Sequence, residues 1–197
     1  EAGEDIERLG GSQPLEEPYM RASIPHLFRK RIGWLLVLFV AEAYTGTVLR
    51  HFEETLSQAI ALAFFIPLLI GTGGNVGSQT VTTLVRALAV GEVEFRDWLR
   101  VLGRELAVAG LLGAVMGLAT YVRAWTLGVG IEIGPVVAVT ALCVVLWAAT
   151  VAAVLPLVLH KLRIDPAVVS APFITTLVDG TGLFLYFTIA RLLLHLA

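Results

Sequence analysis

The stretch that decides the fold is a long apolar run with a centre rich in glycine and polar residues: Pro67-Leu68-Leu69-Ile70-Gly71-Thr72-Gly73-Gly74-Asn75-Val76-Gly77-Ser78-Gln79-Thr80-Val81-Thr82-Thr83. Each glycine lowers helix propensity by about 1 kcal/mol, so we expect a membrane-spanning helix here to unwind across Gly71–Gly77. Unwound backbone inside a bilayer is tolerated only where protein or a water-filled cavity covers it. The run therefore predicts an oxygen-lined cavity, and a packing notch for a neighbouring helix is the alternative.

The glycine-rich run lies in the second of five apolar segments, which cover about residues 32–48, 58–90, 106–122, 136–159 and 167–190. Each segment is near or above the roughly 17–25 residues that a helix needs to cross a bilayer. Charged residues make up only 15% of the chain and mean hydropathy is +0.82, which leaves too few charges for the surface of a soluble protein. The sequence predicts an all-α integral membrane protein with five transmembrane helices, with residues 1–31 as a cytoplasmic leader or connecting helix and 32–197 as a transmembrane pore domain.

Basic residues predict the orientation of the chain. They precede the first segment and follow the second and fourth, whereas the opposite side has only Arg50, Arg123 and Arg191. The positive-inside rule then places the N-terminus in the cytoplasm and the C-terminus outside, in the plasma membrane. Because the chain begins at Glu1 without the features of a signal peptide, we expect it to be part of a longer protein.

Other functional classes are disfavoured by composition. A net charge of −2 gives no basic surface for nucleic acid, and the lone Cys143 allows no disulfide framework. The sequence contains no recognisable Ser/His/Asp set, HExxH motif or phosphate-binding loop, so we do not expect an enzyme.

Asp179 is the candidate ion-binding residue. It lies 14 residues after Asp165 and 12 before Arg191, roughly 21 Å and 18 Å along a helix, and therefore near the bilayer centre. Insertion of an aspartate there costs about 2.5–3.5 kcal/mol, and such residues usually serve function. The alternative is a protonated aspartate bonded to a neighbouring helix. Glu42 is a second buried acid, which either joins the ion pathway or hydrogen-bonds near Tyr44 and Thr45.

Two of the segments carry interruptions by proline and glycine, the best sequence indicator of a transporter's binding site. The second has Pro67 followed by Gly71-Thr72-Gly73, and the fifth has Pro172 followed by Gly180-Thr181-Gly182. We expect the glycine-rich run to lie at the depth of Asp179, with Ser78, Thr80, Thr82 and Thr83 adding oxygens to the cavity. The predicted pore-lining residues are Pro67, Gly71, Thr72, Gly73, Gly74, Asn75, Gly77, Gln79, Pro172, Thr175, Thr176 and Gly180.

The candidate ligands are all hard oxygens, since the four histidines lie at segment ends and the sulfur-containing residues stand alone. Such ligands suit Mg²⁺, Ca²⁺ or Mn²⁺ rather than soft metals. Mg²⁺ gives up its water reluctantly, so a pair of Asp179 residues across a two-fold axis could hold a hydrated ion. Four acids near the cytoplasmic mouth are possible secondary cation sites: Glu4, Asp5, Glu7 and Asp165. Glu42 is a further possible secondary site.

Several of these motifs resemble the MgtE magnesium channel and transporter family. The resemblance rests on Phe65-Ile66-Pro67, on Gly71 to Gln79, on Asp165-Pro166 and on Ala171-Pro172-Phe173 with Thr175-Thr176 and Asp179. It implies a homodimer with the pore on its two-fold axis, lined by the second and fifth segments, with Asp179 binding the ion. It also implies a cytosolic N-domain and tandem CBS domains, which these 197 residues do not include. We therefore expect this chain alone to show little inhibition by cytoplasmic Mg²⁺.

Two other functions compete with a Mg²⁺-selective channel. One is a secondary transporter that takes up a proton on Asp179 in each cycle. The other is a passive membrane anchor for further cytosolic domains, which would gain nothing from an acid at the bilayer centre.

Overall fold

The computed structural model describes residues 7–163 and 170–196. Within these residues, five helices are long and apolar enough to cross a membrane. They are α1 (Ile24–His51), α3 (Ile66–Ala89), α4 (Trp98–Leu127), α5 (Ile133–Lys161) and α6 (Ala171–Leu194). The short α2 (Glu53–Gln58) and a 3-10 helix (Ile60–Phe65) connect α1 to α3. The expectation of an all-helical membrane protein with five long apolar helices is confirmed.

Of the five long helices, α1, α4 and α5 extend beyond their predicted apolar segments at both ends, α3 lies within its segment and α6 is shifted by four residues toward the C-terminus. They contain 24 to 30 residues, or about 36–45 Å at 1.5 Å per residue, against a hydrocarbon core of about 30 Å. Helix α1 begins at Ile24 rather than near residue 32, so the basic residues Arg29, Lys30 and Arg31 lie within it. Helix α4 begins at Trp98 rather than near residue 106. Long basic side chains reach the membrane surface from within a helix, so a hydropathy boundary underestimates helix length.

Helix α5 is the centre of the bundle. It packs against α3, α4 and α6, whereas α1 packs mainly on α6. The buried face of α5 carries small residues that let neighbouring helices approach closely, among them Ala141, Ala148, Ala149, Ala152 and Ala153. Helix α4 packs closely on α5 at Gly117, where an added Cβ would lie 2.9 Å from the carbonyl oxygen of Ala138. The arrangement leaves α6 between α1 and α3.

Helix α3 is continuous through the glycine-rich run, so the predicted unwinding across Gly71–Gly77 is wrong. The irregular backbone lies earlier, at Ala59 and the 3-10 helix that precedes α3. Close packing explains the difference. A Cβ at Gly73 would lie 2.6 Å from Val144 Cγ1, and one at Gly77 would lie 2.6 Å from Ile174 Cγ2. These glycines form the packing notch that was the alternative, and the contacts they allow offset their low helix propensity.

Candidate ion-binding site

Asp179 lies deep in the apolar part of α6. It follows the first residue of the helix, Ala171, by eight positions, or about 12 Å, and lies about 5 Å from the helix midpoint. Ser170 caps the start of α6 by accepting a hydrogen bond from the backbone N–H of Phe173 at 3.3 Å. The carboxylate is therefore fixed in a well-ordered helix at the depth of the bundle core.

The Asp179 carboxylate has no internal partner among the described residues. Its Oδ1 atom is buried and accepts no hydrogen bond there. An added Cβ at Gly74 would lie 2.9 Å from Thr175 Cγ2 and 3.6 Å from this oxygen, so the absence of a side chain at Gly74 lets α3 pack closely on α6 beside the carboxylate. The glycine-rich run and Asp179 thus lie at one depth, as predicted. A buried, unpaired oxygen is costly, and a cation or its bound water would offset that cost.

Helix α3 exposes a row of polar side chains beside this carboxylate. Its opposite face is buried against the bundle, with Val81, Leu84, Val85 and Leu88. We call the exposed row the polar stripe; it consists of Gly71, Asn75, Gln79, Thr82, Thr83 and Arg86. Asn75 follows Gly74 directly, so the stripe runs past Asp179. Polar side chains at membrane depth almost always face a bundle interior or a water-filled path rather than lipid.

The threonines of the polar stripe present acceptors to their surroundings. Thr82 donates its hydroxyl proton to the carbonyl oxygen of Ser78 at 2.7 Å, and Thr83 donates to that of Gln79 at 2.9 Å. A hydroxyl has one proton and two lone pairs. Because each proton is used within the helix, the outward-facing part of each hydroxyl can only accept. These two hydroxyls therefore favour cations and their waters over anions.

Helix α1 packs against the other side of the Asp179 region. A Cβ at Gly180 would lie 2.6 Å from Tyr44 Cδ1 and 3.1 Å from Thr45 Oγ1. The Thr45 hydroxyl is buried and has no hydrogen-bond partner within the described residues. Glu42, one turn earlier on α1, lies within electrostatic range of Asp179. The contact of Gly180 with Tyr44 and Thr45 therefore brings the part of α1 that carries Glu42 against the part of α6 that carries Asp179.

The structure divides the predicted pore-lining residues into three groups. Pro67, Gly71, Asn75 and Gln79 are exposed, whereas Thr72, Pro172, Thr175 and Thr176 are half-buried. The remaining four are buried in helix–helix contacts: Gly73, Gly74, Gly77 and Gly180. Among the additional oxygens, Thr80 is buried on the opposite face of α3. Ser78 lies 3.2 Å from the hydroxyl of Thr175 and so links α3 to α6.

Comparison with known proteins identifies the family. The MgtE divalent cation transporter family model matches residues 66–189, which include both the polar stripe and Asp179. The chain belongs to the MgtE family. It is 40% identical over 195 residues to the magnesium transporter MgtE of Thermus thermophilus, covering 99% of this chain and 43% of that protein. The Enterococcus faecalis and Bacillus subtilis magnesium transporters MgtE are 33% and 32% identical, covering 98% and 84% of this chain. The chain spans 37–43% of the length of these relatives.

This MgtE-family chain contains a hydrogen-bonded acid within a long apolar helix that sequence reasoning missed. Glu105 lies in α4, and its Oε2 atom accepts a hydrogen bond of 3.2 Å from the hydroxyl of Thr80 in α3. The third apolar segment was placed from residue 106 onward, so Glu105 fell just outside it. The signal available was the helical spacing of apolar residues before Leu106, which continues the helix back to Trp98.

Of the four acids predicted as secondary cation sites near the cytoplasmic mouth, only Glu7 lies within the described residues. Glu7 Oε2 accepts a hydrogen bond of 2.8 Å from the backbone N–H of Leu15, so one of its oxygens stabilises the leader's own turn. The leader rests on α1 and α6, since a Cβ at Gly11 would lie 2.9 Å from the Trp34 ring. The other three acids, Glu4, Asp5 and Asp165, lie outside the described residues.

Proposed function

We propose that the chain moves Mg²⁺ across the plasma membrane along the polar stripe of α3 and past Asp179 of α6. The curated relatives are named magnesium transporters, and the family is one of divalent cation transporters. The observation that carries the proposal is the exposed polar stripe of a membrane-spanning helix beside a carboxylate without an internal partner. Asp179 then serves as the ion-binding filter, and the hydroxyl and amide oxygens of the polar stripe support the ion on either side.

A homodimer with the pore on its two-fold axis completes this path. One chain leaves Asn75, Gln79, Thr82 and Thr83 exposed, and hydrocarbon cannot satisfy their hydrogen-bonding groups. A second copy placed opposite would enclose them in a polar channel with protein on all sides. Two Asp179 carboxylates would then balance the double charge of one Mg²⁺.

The ion passes with its water. Because α3 is a continuous helix, its carbonyl oxygens are engaged in backbone hydrogen bonds and cannot replace the hydration shell. Mg²⁺ dehydrates reluctantly, and the available carboxylates and hydroxyls suit hydrogen bonds to its waters. We expect Asp179 oxygens roughly 4 Å or more from the ion, against 2.0–2.1 Å for direct coordination. Ca²⁺ and Mn²⁺ share the same ligand preference and are expected to substitute. A high-resolution map with Mg²⁺ bound measures this distance, and direct coordination by Asp179 would contradict it.

Flux through purified protein in liposomes tests the assignment. Asp179→Asn keeps the shape of the side chain but removes its charge, and we expect Mg²⁺ flux to be lost. Glu105→Gln is the matched control, because it removes an acid of α4 that faces Thr80 instead of the polar stripe. Wild-type flux through Asp179→Asn would refute both the filter and the path.

A proton-coupled secondary transporter is the second candidate function. Its support is the proximity of Glu42 to Asp179, since two neighbouring carboxylates tend to share a proton when no cation is present. Collapse of a pH gradient across the liposome distinguishes the two. A channel continues to carry Mg²⁺ down its own gradient, whereas a proton-coupled transporter loses the flux driven by protons. If Asp179→Asn leaves the chain folded but silent, a passive anchor is excluded.

A further inference from the structure

One face of α1 forms an apolar seam with α6. Trp34 lies 6.1 Å from the ring of Phe173 and donates a hydrogen bond of 3.1 Å to Ser170 Oγ. Leu38 and Val48 are buried, and Phe52 stacks on Phe187 at 5.2 Å. These residues recur every three or four positions, the spacing of one helix face. The residues on that face are Trp34, Leu38, Glu42, Thr45, Val48 and Phe52.

Glu42 is the one acid on this seam. It is half-buried, and it lies between Leu38 and Thr45 on a face whose other members pack against α6. An acid inside a transmembrane segment is costly and usually has a functional reason. Within the described residues no salt bridge to a basic side chain is found for it.

Two buried oxygens without a hydrogen-bond partner belong to the same α1–α6 contact as Glu42. Thr45 Oγ1 and Asp179 Oδ1 are both buried without a hydrogen-bond partner in the described part of the chain. Gly180 separates them, since an added Cβ there would lie 3.1 Å from Thr45 Oγ1. The α1–α6 contact at Gly180 therefore brings three oxygen-bearing side chains, Glu42, Thr45 and Asp179, into one region of an otherwise apolar seam. A hydrated cation supplies the hydrogen-bond donors that all three lack.

We propose that Glu42 is a second ion-binding carboxylate, which acts with Asp179 to select divalent over monovalent cations. The proposal rests on the proposed function, because it assigns a specificity role at the same site. The electrostatic attraction of a carboxylate for an ion scales with the charge of the ion. A second negative charge therefore favours a divalent ion twice as strongly as a monovalent one. The Thr45 hydroxyl would accept a hydrogen bond from the ion's water on the α1 side.

The experiment compares Glu42→Gln with Glu105→Gln and wild type in liposomes, measuring Mg²⁺ flux against concentration and K⁺ flux in parallel. For Glu42→Gln we expect the half-saturating Mg²⁺ concentration to rise about tenfold, equivalent to about 1.4 kcal/mol, with K⁺ flux changed by less than about threefold. Glu42→Asp should restore most of the Mg²⁺ affinity. Glu105→Gln should behave as wild type, because its site faces Thr80.

A second variant keeps the proposal falsifiable if Glu42→Gln does not fold. Thr45→Val preserves side-chain shape and removes only the unpartnered hydroxyl, so the half-saturating Mg²⁺ concentration should rise about threefold. Wild-type Mg²⁺ affinity in Glu42→Gln, or in Thr45→Val where the former cannot be purified, overturns the role of this α1 site. If Asp179→Asn stops flux while Glu42→Gln has no effect, only this inference fails. Flux that survives Asp179→Asn overturns the proposed function itself.

Discussion

Glu105 and Asp179 are two acids in membrane-spanning helices with opposite surroundings. Glu105 accepts a hydrogen bond of 3.2 Å from Thr80, which ties α4 to α3. Asp179 Oδ1 is buried without a partner among the described residues. An acid satisfied from within the bundle stabilises it, whereas an unsatisfied one costs stability and is retained for another reason. A hydrogen-bond partner within the bundle, and not burial alone, therefore distinguishes a structural acid from an ion-binding candidate.

Helix α3 lies between these two acids and has a different surface toward each. Thr80, which serves Glu105, is buried on the packed face. The exposed face carries the polar stripe, and Gly74 at its edge lies beside the Asp179 carboxylate. One helix thus joins the structural core to the candidate path. Substitutions on its two faces are expected to have separable effects on stability and on transport.

The largest expected effect comes from removing each acid entirely. Asp179→Ala should abolish Mg²⁺ flux and leave the protein as stable as wild type or more so, because a costly charge is removed; the gain is at most about 2.5–3.5 kcal/mol. Glu105→Ala should lower the free energy of unfolding by about 1–3 kcal/mol, because Thr80 is left buried without a partner. Thermal melting in detergent measures stability, and flux in liposomes measures transport.

The contrast between a structural Glu105 and an ion-binding Asp179 would be refuted if the two variants exchanged effects. Flux lost in a fully folded Glu105→Ala protein would place Glu105 in the transport path. A clear fall in the stability of Asp179→Ala would mean that its carboxylate has a stabilising partner in the assembled protein.

The sequence predicted the five helices and the depth of the site because both follow from hydropathy and from helix rise. It also singled out Asp179 as the ion-binding candidate, since a charged residue at the centre of an apolar segment is visible without coordinates, and that role stays a prediction. It did not predict a continuous α3, because the contacts of Gly73 and Gly77 with α5 and α6 are tertiary. Helix propensity alone favours unwinding at these glycines, whereas their packing contacts stabilise the continuous helix.

The role of Glu105 was equally inaccessible from the sequence. An acid next to Arg104 at a segment edge is typical of a solvated helix end, and its partner Thr80 is 25 residues away. The same reason explains why Thr80 was expected in the cavity together with Thr82 and Thr83. A residue's side of a helix is fixed only when its neighbours are known.

A smaller effect is expected at Gly74, which keeps α3 close to the carboxylate. In Gly74→Ala the new Cβ would lie 2.9 Å from Thr175 Cγ2 and 3.6 Å from Asp179 Oδ1. Overpacking of this kind costs about 1–3 kcal/mol, and we expect Mg²⁺ flux to fall about tenfold because the carboxylate is displaced. Gly110→Ala in α4 is the matched control, since nothing lies within 4 Å of its added Cβ.

The control variant should be more stable than wild type, whereas Gly74→Ala should be less stable. Gly110→Ala is expected to raise the free energy of unfolding by up to about 1 kcal/mol through helix propensity alone, with flux unchanged. Equal flux in the two glycine variants would show that the spacing of α3 and α6 does not set the position of Asp179.

The smallest effects should come from one substitution made on each face of α3. Thr80→Val leaves the Glu105 carboxylate without its donor, so we expect stability to fall by about 1–3 kcal/mol while the half-saturating Mg²⁺ concentration stays at its wild-type value. Thr83→Val removes a hydroxyl that donates only to its own helix, so its effect on stability should be within about 0.5 kcal/mol. It also removes an acceptor from the polar stripe, which should raise the half-saturating Mg²⁺ concentration about two- to threefold. Melting curves and concentration-dependent flux on the same preparations measure both quantities. Equal responses in both would mean that the two faces of α3 are not divided between structure and transport, because each threonine would then contribute to both.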